Sequence, residues 1–169
     1  MAAVMVDTKK LFLSLDETWK RFVDLISSAD TNSINKIPFE GSWTIGQVAR
    51  HVTKSNFGMV KALQMKGTIP GRDLLQAEPK LKQIFLDFKA KYNSPEFIIP
   101  ESKEYQKEEL LLDLKNSIEQ LKEQREKQDL SELLNLEILG ELTKLELLYF
   151  VLYHTQRHIH QLENILERF

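Results

Sequence analysis

The chain has 169 residues, 42% of them hydrophobic and 28% charged, with a formal net charge of -2. These values are those of a soluble globular domain, and a single domain over 1–169 is the expectation. Its 23 basic residues are interspersed among 25 acidic ones, which excludes the basic stripe of a nucleic-acid binder. There is no cysteine, so disulfides, thiolate zinc sites, iron–sulfur clusters and cysteine nucleophiles are excluded together. A chain of this length needs no structural metal to fold, and any metal it takes up is expected to serve function.

In chain order, Phe12, Leu15, Trp19, Phe22 and Ile26 recur at steps of three and four, the stripe of an amphipathic helix, which predicts a first helix over about residues 5–28. The polar stretch Ser27–Lys36 reads as a loop, because its Ser, Asn, Asp and Thr side chains compete for backbone hydrogen bonds. Thr44 and Gln47 form a capping box that opens a second helix over 45–66, and Gly67 is expected to end it in the left-handed conformation. Residues 68–101 hold four of the five prolines and form a long connection, with a short helix near Leu81–Lys91 and an extended segment, SPEFIIP, at 94–100. A link of this length can cross over and let the second and third helices run in the same direction. The third helix, with its seam at Leu110, Leu114, Ile118 and Leu121, ends near Lys127. A second capping box, Thr143 and Glu146, opens a fourth helix that runs without Gly or Pro to about Arg168. No segment reads as a strand. The predicted fold is all-α, a four-helix bundle with a long crossover connection between helices 2 and 3.

The longest apolar run, Leu147–Tyr153, is far too short to cross a bilayer, and MAAVMVDTKK lacks the basic and apolar segments of a secretory signal. A cytoplasmic protein with no membrane or nucleic-acid partner is therefore expected.

The four histidines carry the chemical information. His154 and His158 are one turn apart on the same helix face, with ring vectors about 40° apart, a spacing that suits two ligands of one metal. His160 is about 200° from His158 and points elsewhere. His51 lies on or beside the buried stripe of the second helix and can supply a third nitrogen, and helix depth favours antiparallel packing of the second and fourth helices. Three neutral imidazoles with open positions are the donor set of a catalytic divalent site. Gln161 is a candidate partner able to orient a ring or a bound water from outside the ligand set. Taken singly, each of these histidines is equally compatible with a packed, hydrogen-bonded side chain, as Trp19 and Trp43 are with core positions. Glu146 could act near His154 or serve only as a cap.

SWTIGQVARHV (42–52) and HTQRHIHQL (154–162) resemble the second-helix entry and last-helix motif of the DinB-like superfamily, four-helix bundles regarded as metalloenzymes. His51, His154 and His158 match that family's metal triad, with Gln161 and Leu162 completing the pattern; Val52 stands where many members have Leu. The resemblance implies a divalent ion, often nickel or zinc, and frequent homodimers. It also implies a small-molecule substrate and chemistry similar to that of low-molecular-weight-thiol-dependent S-transferases, including bacillithiol S-transferases and mycothiol-dependent maleylpyruvate isomerases. A chain without cysteine would take such a thiol from solution. Two other functions stay open at this level: a metal-dependent hydrolase in which activated water is the nucleophile, and a non-enzymatic dimeric helical bundle.

Overall fold

Four long helices carry the chain in the computed structural model, which describes residues 7–169. They are α1 (Lys9–Ser28), α2 (Ile45–Gln64), α4 (Lys107–Lys127) and α5 (Lys144–Leu166), with a short α3 (Glu78–Phe85) in the long connection and two strands, β1 (Leu133–Leu136) and β2 (Gly140–Thr143), before α5. Residues 5 and 6 of the predicted first helix lie outside the described residues. Within α1 the predicted stripe is buried at Leu15, Trp19, Phe22 and Ile26, whereas Phe12 is only partly covered and packs under the Arg125 guanidinium.

Both predicted capping boxes are present. Thr44 Oγ1 accepts from the Gln47 N–H at 3.1 Å and Gln47 Oε1 accepts from the Thr44 N–H at 2.9 Å, and Thr143 and Glu146 exchange the equivalent pair at 3.0 and 2.9 Å. Each box satisfies N–H groups that a helix start otherwise leaves without partners.

Cross-links between the helices set their directions. Gly46 abuts Tyr105 and Asn56 donates to Ser117 at 3.0 Å, so sequence advances together along α2 and α4 and the two are parallel. Arg125 reaches Asp16 while Lys107 reaches the carbonyls of Ser27 and Ala29, so α1 and α4 are antiparallel. Thr68, just past α2, bridges Leu133, which pairs with Thr143 at the head of α5. Since His51, near the start of α2, meets His154 and His158 farther along α5, α2 and α5 are antiparallel. The order is up, down, down, up, and the connection between α2 and α4 is the crossover that the sequence predicts.

Four local expectations need correction. Leu133–Thr143 is an antiparallel hairpin, with Leu134 opposite Leu142, around a three-residue turn at 137–139 followed by Gly140 at φ +72°. Only glycine adopts that conformation without strain, and it gives the turn its sense. Gly67 is not left-handed: α2 ends on Met65 in extended conformation, and the glycine is needed because a Cβ there would sit 2.7 Å from the Glu132 Cβ and 2.8 Å from the Leu133 carbonyl oxygen. The short helix lies earlier than predicted, at Glu78–Phe85, because Pro79 falls in its first turn, where proline favours a helix start rather than blocking one. Within SPEFIIP, Glu96–Ile98 is a 3₁₀ turn between extended flanks.

Candidate metal centre

α2 and α5 carry the three histidines on their mutually packed faces. His51, His154 and His158 are 2%, 6% and 8% exposed. His154 Nε2 lies 3.1 Å from His51 Nε2 and 3.1 Å from His158 Nε2. Together they form a cluster whose nitrogens could hold one metal ion. His160 is apart from the cluster: its ring stacks on Phe88 at 4.2 Å and its Nε2 contacts Asn164.

The outer nitrogens of two rings are fixed. His51 Nδ1–H donates to the Ile98 carbonyl at 2.9 Å, and His158 Nδ1–H donates to Gln161 Oε1 at 2.8 Å. Both acceptors lack a proton to give, so the Nε2 atoms of His51 and His158 are bare lone pairs. Each points at His154 Nε2, which carries at most one proton and can donate to only one of them. At least one pair of buried nitrogens therefore faces the other lone pair to lone pair, a costly arrangement in a low-dielectric interior. A shared cation removes that conflict, and two nitrogens each about 2.0–2.1 Å from one ion lie no more than about 4.2 Å apart. Both separations to His154 fall inside that limit and all three ligand nitrogens lie within 4.8 Å of one another, a donor set that could hold a divalent ion.

Burial also keeps the rings unprotonated. It lowers His51, lowers His154 well below the ordinary histidine value, and lowers His158 to about 3, with charge on the neighbouring imidazoles adding to the effect at His154 and His158. Neutral imidazole is the form that binds metal.

The Ile98 carbonyl is held in place from its C-terminal side. Arg50 grips Glu101 through Nε and Nη2 at 3.0 and 3.2 Å, Lys54 Nζ reaches the Ile99 carbonyl at 2.9 Å and Glu101 Oε1 at 3.3 Å, and the Tyr105 hydroxyl donates to the Glu101 carbonyl at 2.6 Å. The Arg50 guanidinium is the main reason that Glu101 sits well below the usual carboxylate range. These bonds pin the end of the crossover link onto α2, one turn around His51.

The cluster forms the floor of a cleft of about 830 Å³ between α2, α3, the 92–98 segment and the hairpin turn, within the range of small-molecule sites. Phe150 stacks on His154 at 5.2 Å and Phe85 meets both of those rings edge-on. Arg157 donates to the carbonyls of Phe85, Asp87 and Ala90 and stacks on Tyr92, which fastens this wall to α5. Glu146 is fully buried and committed to its cap, to Arg72 at 2.8 Å and to the Ala77 N–H at 2.6 Å; it is a structural carboxylate away from the histidines.

Sequence reasoning brought the three histidines and Gln161 to one place. It missed the Ile98 carbonyl, because a backbone acceptor has no residue signature, and it missed Phe85 and Phe150, whose place beside the histidines no local pattern marks. The role of Arg157 has no local sequence signal, since its acceptors are carbonyls up to 72 residues away.

A bundle with an inward-facing histidine cluster on two antiparallel helices, reached through an apolar cleft, defines a class of four-helix proteins whose histidines could hold a metal ion. A profile of the DinB superfamily matches residues 14–162, and the chain belongs to that superfamily. Among solved structures it is similar to TT2238, described as a four-helix bundle protein, with a TM-score of 0.61 and 21% identity over 92% of this chain and 98% of that one. At that identity the likeness establishes the fold. Comparison with curated proteins gives no match.

Proposed function

We propose that the protein is a metal-dependent enzyme in which His51, His154 and His158 hold a divalent ion, nickel or zinc, and that it transfers a low-molecular-weight thiol to an electrophilic small molecule. The observation that carries this reading is the convergence of three buried histidines, with the Nε2 atoms of His51 and His158 each 3.1 Å from that of His154 and their Nδ1 atoms bonded to the Ile98 carbonyl and Gln161. A divalent ion bound there would supply the charge that favours a thiolate over a thiol at neutral pH. The chain's own residues hold the rings, exclude water with Phe85 and Phe150, and keep both reactants beside the floor of the cleft.

The carboxylates favour transfer over hydrolysis. Among the described residues lining the cleft, the acids are Glu137 and Glu141, both exposed at its rim. Glu101 and Glu146 are tied to cations elsewhere. A hydrolase that activates water gains from a general base near the reacting atoms, and the floor supplies none, whereas a thiol acidified by a cation needs none.

The test is a conjugation screen with several thiols and a general aryl electrophile, run beside an ester and amide panel on nickel- and zinc-loaded protein. Thiol-dependent turnover that disappears in His154→Ala is the expected result. Turnover of esters or amides without thiol would overturn the preference for transfer.

A further inference from the structure

The cleft has a polarity gradient that defines its ligand. Its floor carries the three histidines and Ser55, one turn beyond His51 on α2. Ser55 is 4% exposed and lines the cleft, and among the described residues its hydroxyl makes no hydrogen bond. The buried threonine hydroxyls within these helices are satisfied locally: Thr53 donates to the Ala49 carbonyl at 2.9 Å and Thr155 to the Val151 carbonyl at 2.7 Å, the usual recourse of a hydroxyl inside a helix. Above the floor stand the apolar side chains of Met59, Leu81, Ile84, Phe85, Leu142 and Phe150; Arg157 is committed to backbone carbonyls, and the polar groups of Tyr92, Asn93 and Ser94 lie on the more exposed 92–94 stretch. At the mouth stand large apolar side chains in water, Phe97 at 65% and Ile138 at 55% exposure, beside the exposed Lys61, Lys80, Glu137 and Glu141.

From this gradient we infer that the cleft takes an amphiphilic small molecule, an elongated aliphatic or aryl body with one polar head, and that the head lies on the floor with the Ser55 hydroxyl as its hydrogen-bond partner. A sugar or nucleotide is a poor occupant of the deep part of the cleft, because each hydroxyl buried against those apolar side chains loses its hydrogen bonds to water without gaining a partner. Tails of the right class gain at every step along the same wall. The inference deepens the enzymatic reading, since it names the electrophile's class, but the walls and Ser55 do not depend on an ion.

The test displaces the apolar anionic dye anilinonaphthalene sulfonate with straight-chain carboxylates of two to ten carbons, from metal-free and from nickel-loaded protein. Affinity is expected to rise about fourfold per methylene in both forms until the tail reaches the mouth. Ser55→Ala should weaken every member about threefold to tenfold with the slope unchanged, and Ile84→Gln should flatten the slope while the shortest acids bind as before. A flat series in both forms would overturn the inference even if nickel binds. A steep series with identical metal-free and nickel curves would uphold it and count instead against the metal site.

Discussion

Gln161 and the Ile98 carbonyl do the same work for two different rings: each accepts an Nδ1–H and leaves Nε2 bare toward the cluster. Removing one acceptor lets its ring rotate or change tautomer, and loss of such a partner typically costs 10–100-fold in metal affinity. Gln161→Leu is therefore expected to weaken nickel binding by that order in chelator competition, while the melting temperature of the metal-free protein stays within a few degrees. Gln161→Glu, which keeps an acceptor, should restore most of the affinity.

The lowered pKa values of the three histidines also make a prediction for the metal-free protein. Their unfolded value is about 6.5, and burial depresses them in the folded state. Below about pH 6.5 the unfolded chain takes up protons that the folded chain refuses, so the neutral rings cost nothing above that pH and stability falls as pH drops. The loss continues down through the folded values, to about 3 for His158. That residue alone accounts for about 2 kcal/mol at pH 5. Urea midpoints should fall between pH 7 and pH 5, and His158→Leu should fall less; equal slopes would contradict the burial of a neutral ring.

At the scale of elements, the crossover link is part of the site rather than a mere connection. Its 98–101 end is bonded to α2 through Arg50 and Lys54, so the extended apolar segment once expected at 94–100 is anchored at one end beside His51. Glu101→Gln removes the charge that both cations share. The expected result is faster amide exchange over residues 97–101 and a drop in nickel affinity of roughly tenfold, with little change in global unfolding. Unchanged exchange would show that the Ile98 carbonyl is held without this clamp.

Elements were legible where the signal was local. Thr44/Gln47 and Thr143/Glu146 marked two helix starts because a capping box is made of neighbours in sequence. The hairpin was not legible, since its strands are four residues long, rich in Leu rather than β-branched residues, and flow directly into α5. Gly67 shows the same limit: a close approach between Gly67 and Glu132 depends on packing that no local pattern encodes.

At the scale of the whole molecule, the absence of cysteine removes thiolate ligands and leaves imidazole as the side-chain nitrogen donor for a metal, and the up, down, down, up order brings His51 of one helix against His154 and His158 of an antiparallel neighbour. The pairing of His154 with His158 was legible from helical periodicity alone. Placing His51 with them needed the long crossover and the antiparallel packing, which the sequence indicates through the length of a link, the small difference in helix depth and the family resemblance. The cleft comes from α3, the hairpin and the link together, the parts with the weakest sequence signals, and that is why its apolar walls emerged only with the fold.

The central claim is that three nitrogens from two helices hold one ion. An equilibrium nickel titration, on protein without an affinity tag, tests it most directly when repeated on four single variants. About one equivalent is expected for the parent, with binding lost in His51→Ala, His154→Ala and His158→Ala and kept in His160→Ala. No binding by the parent, or equal loss in His160→Ala, would contradict the site.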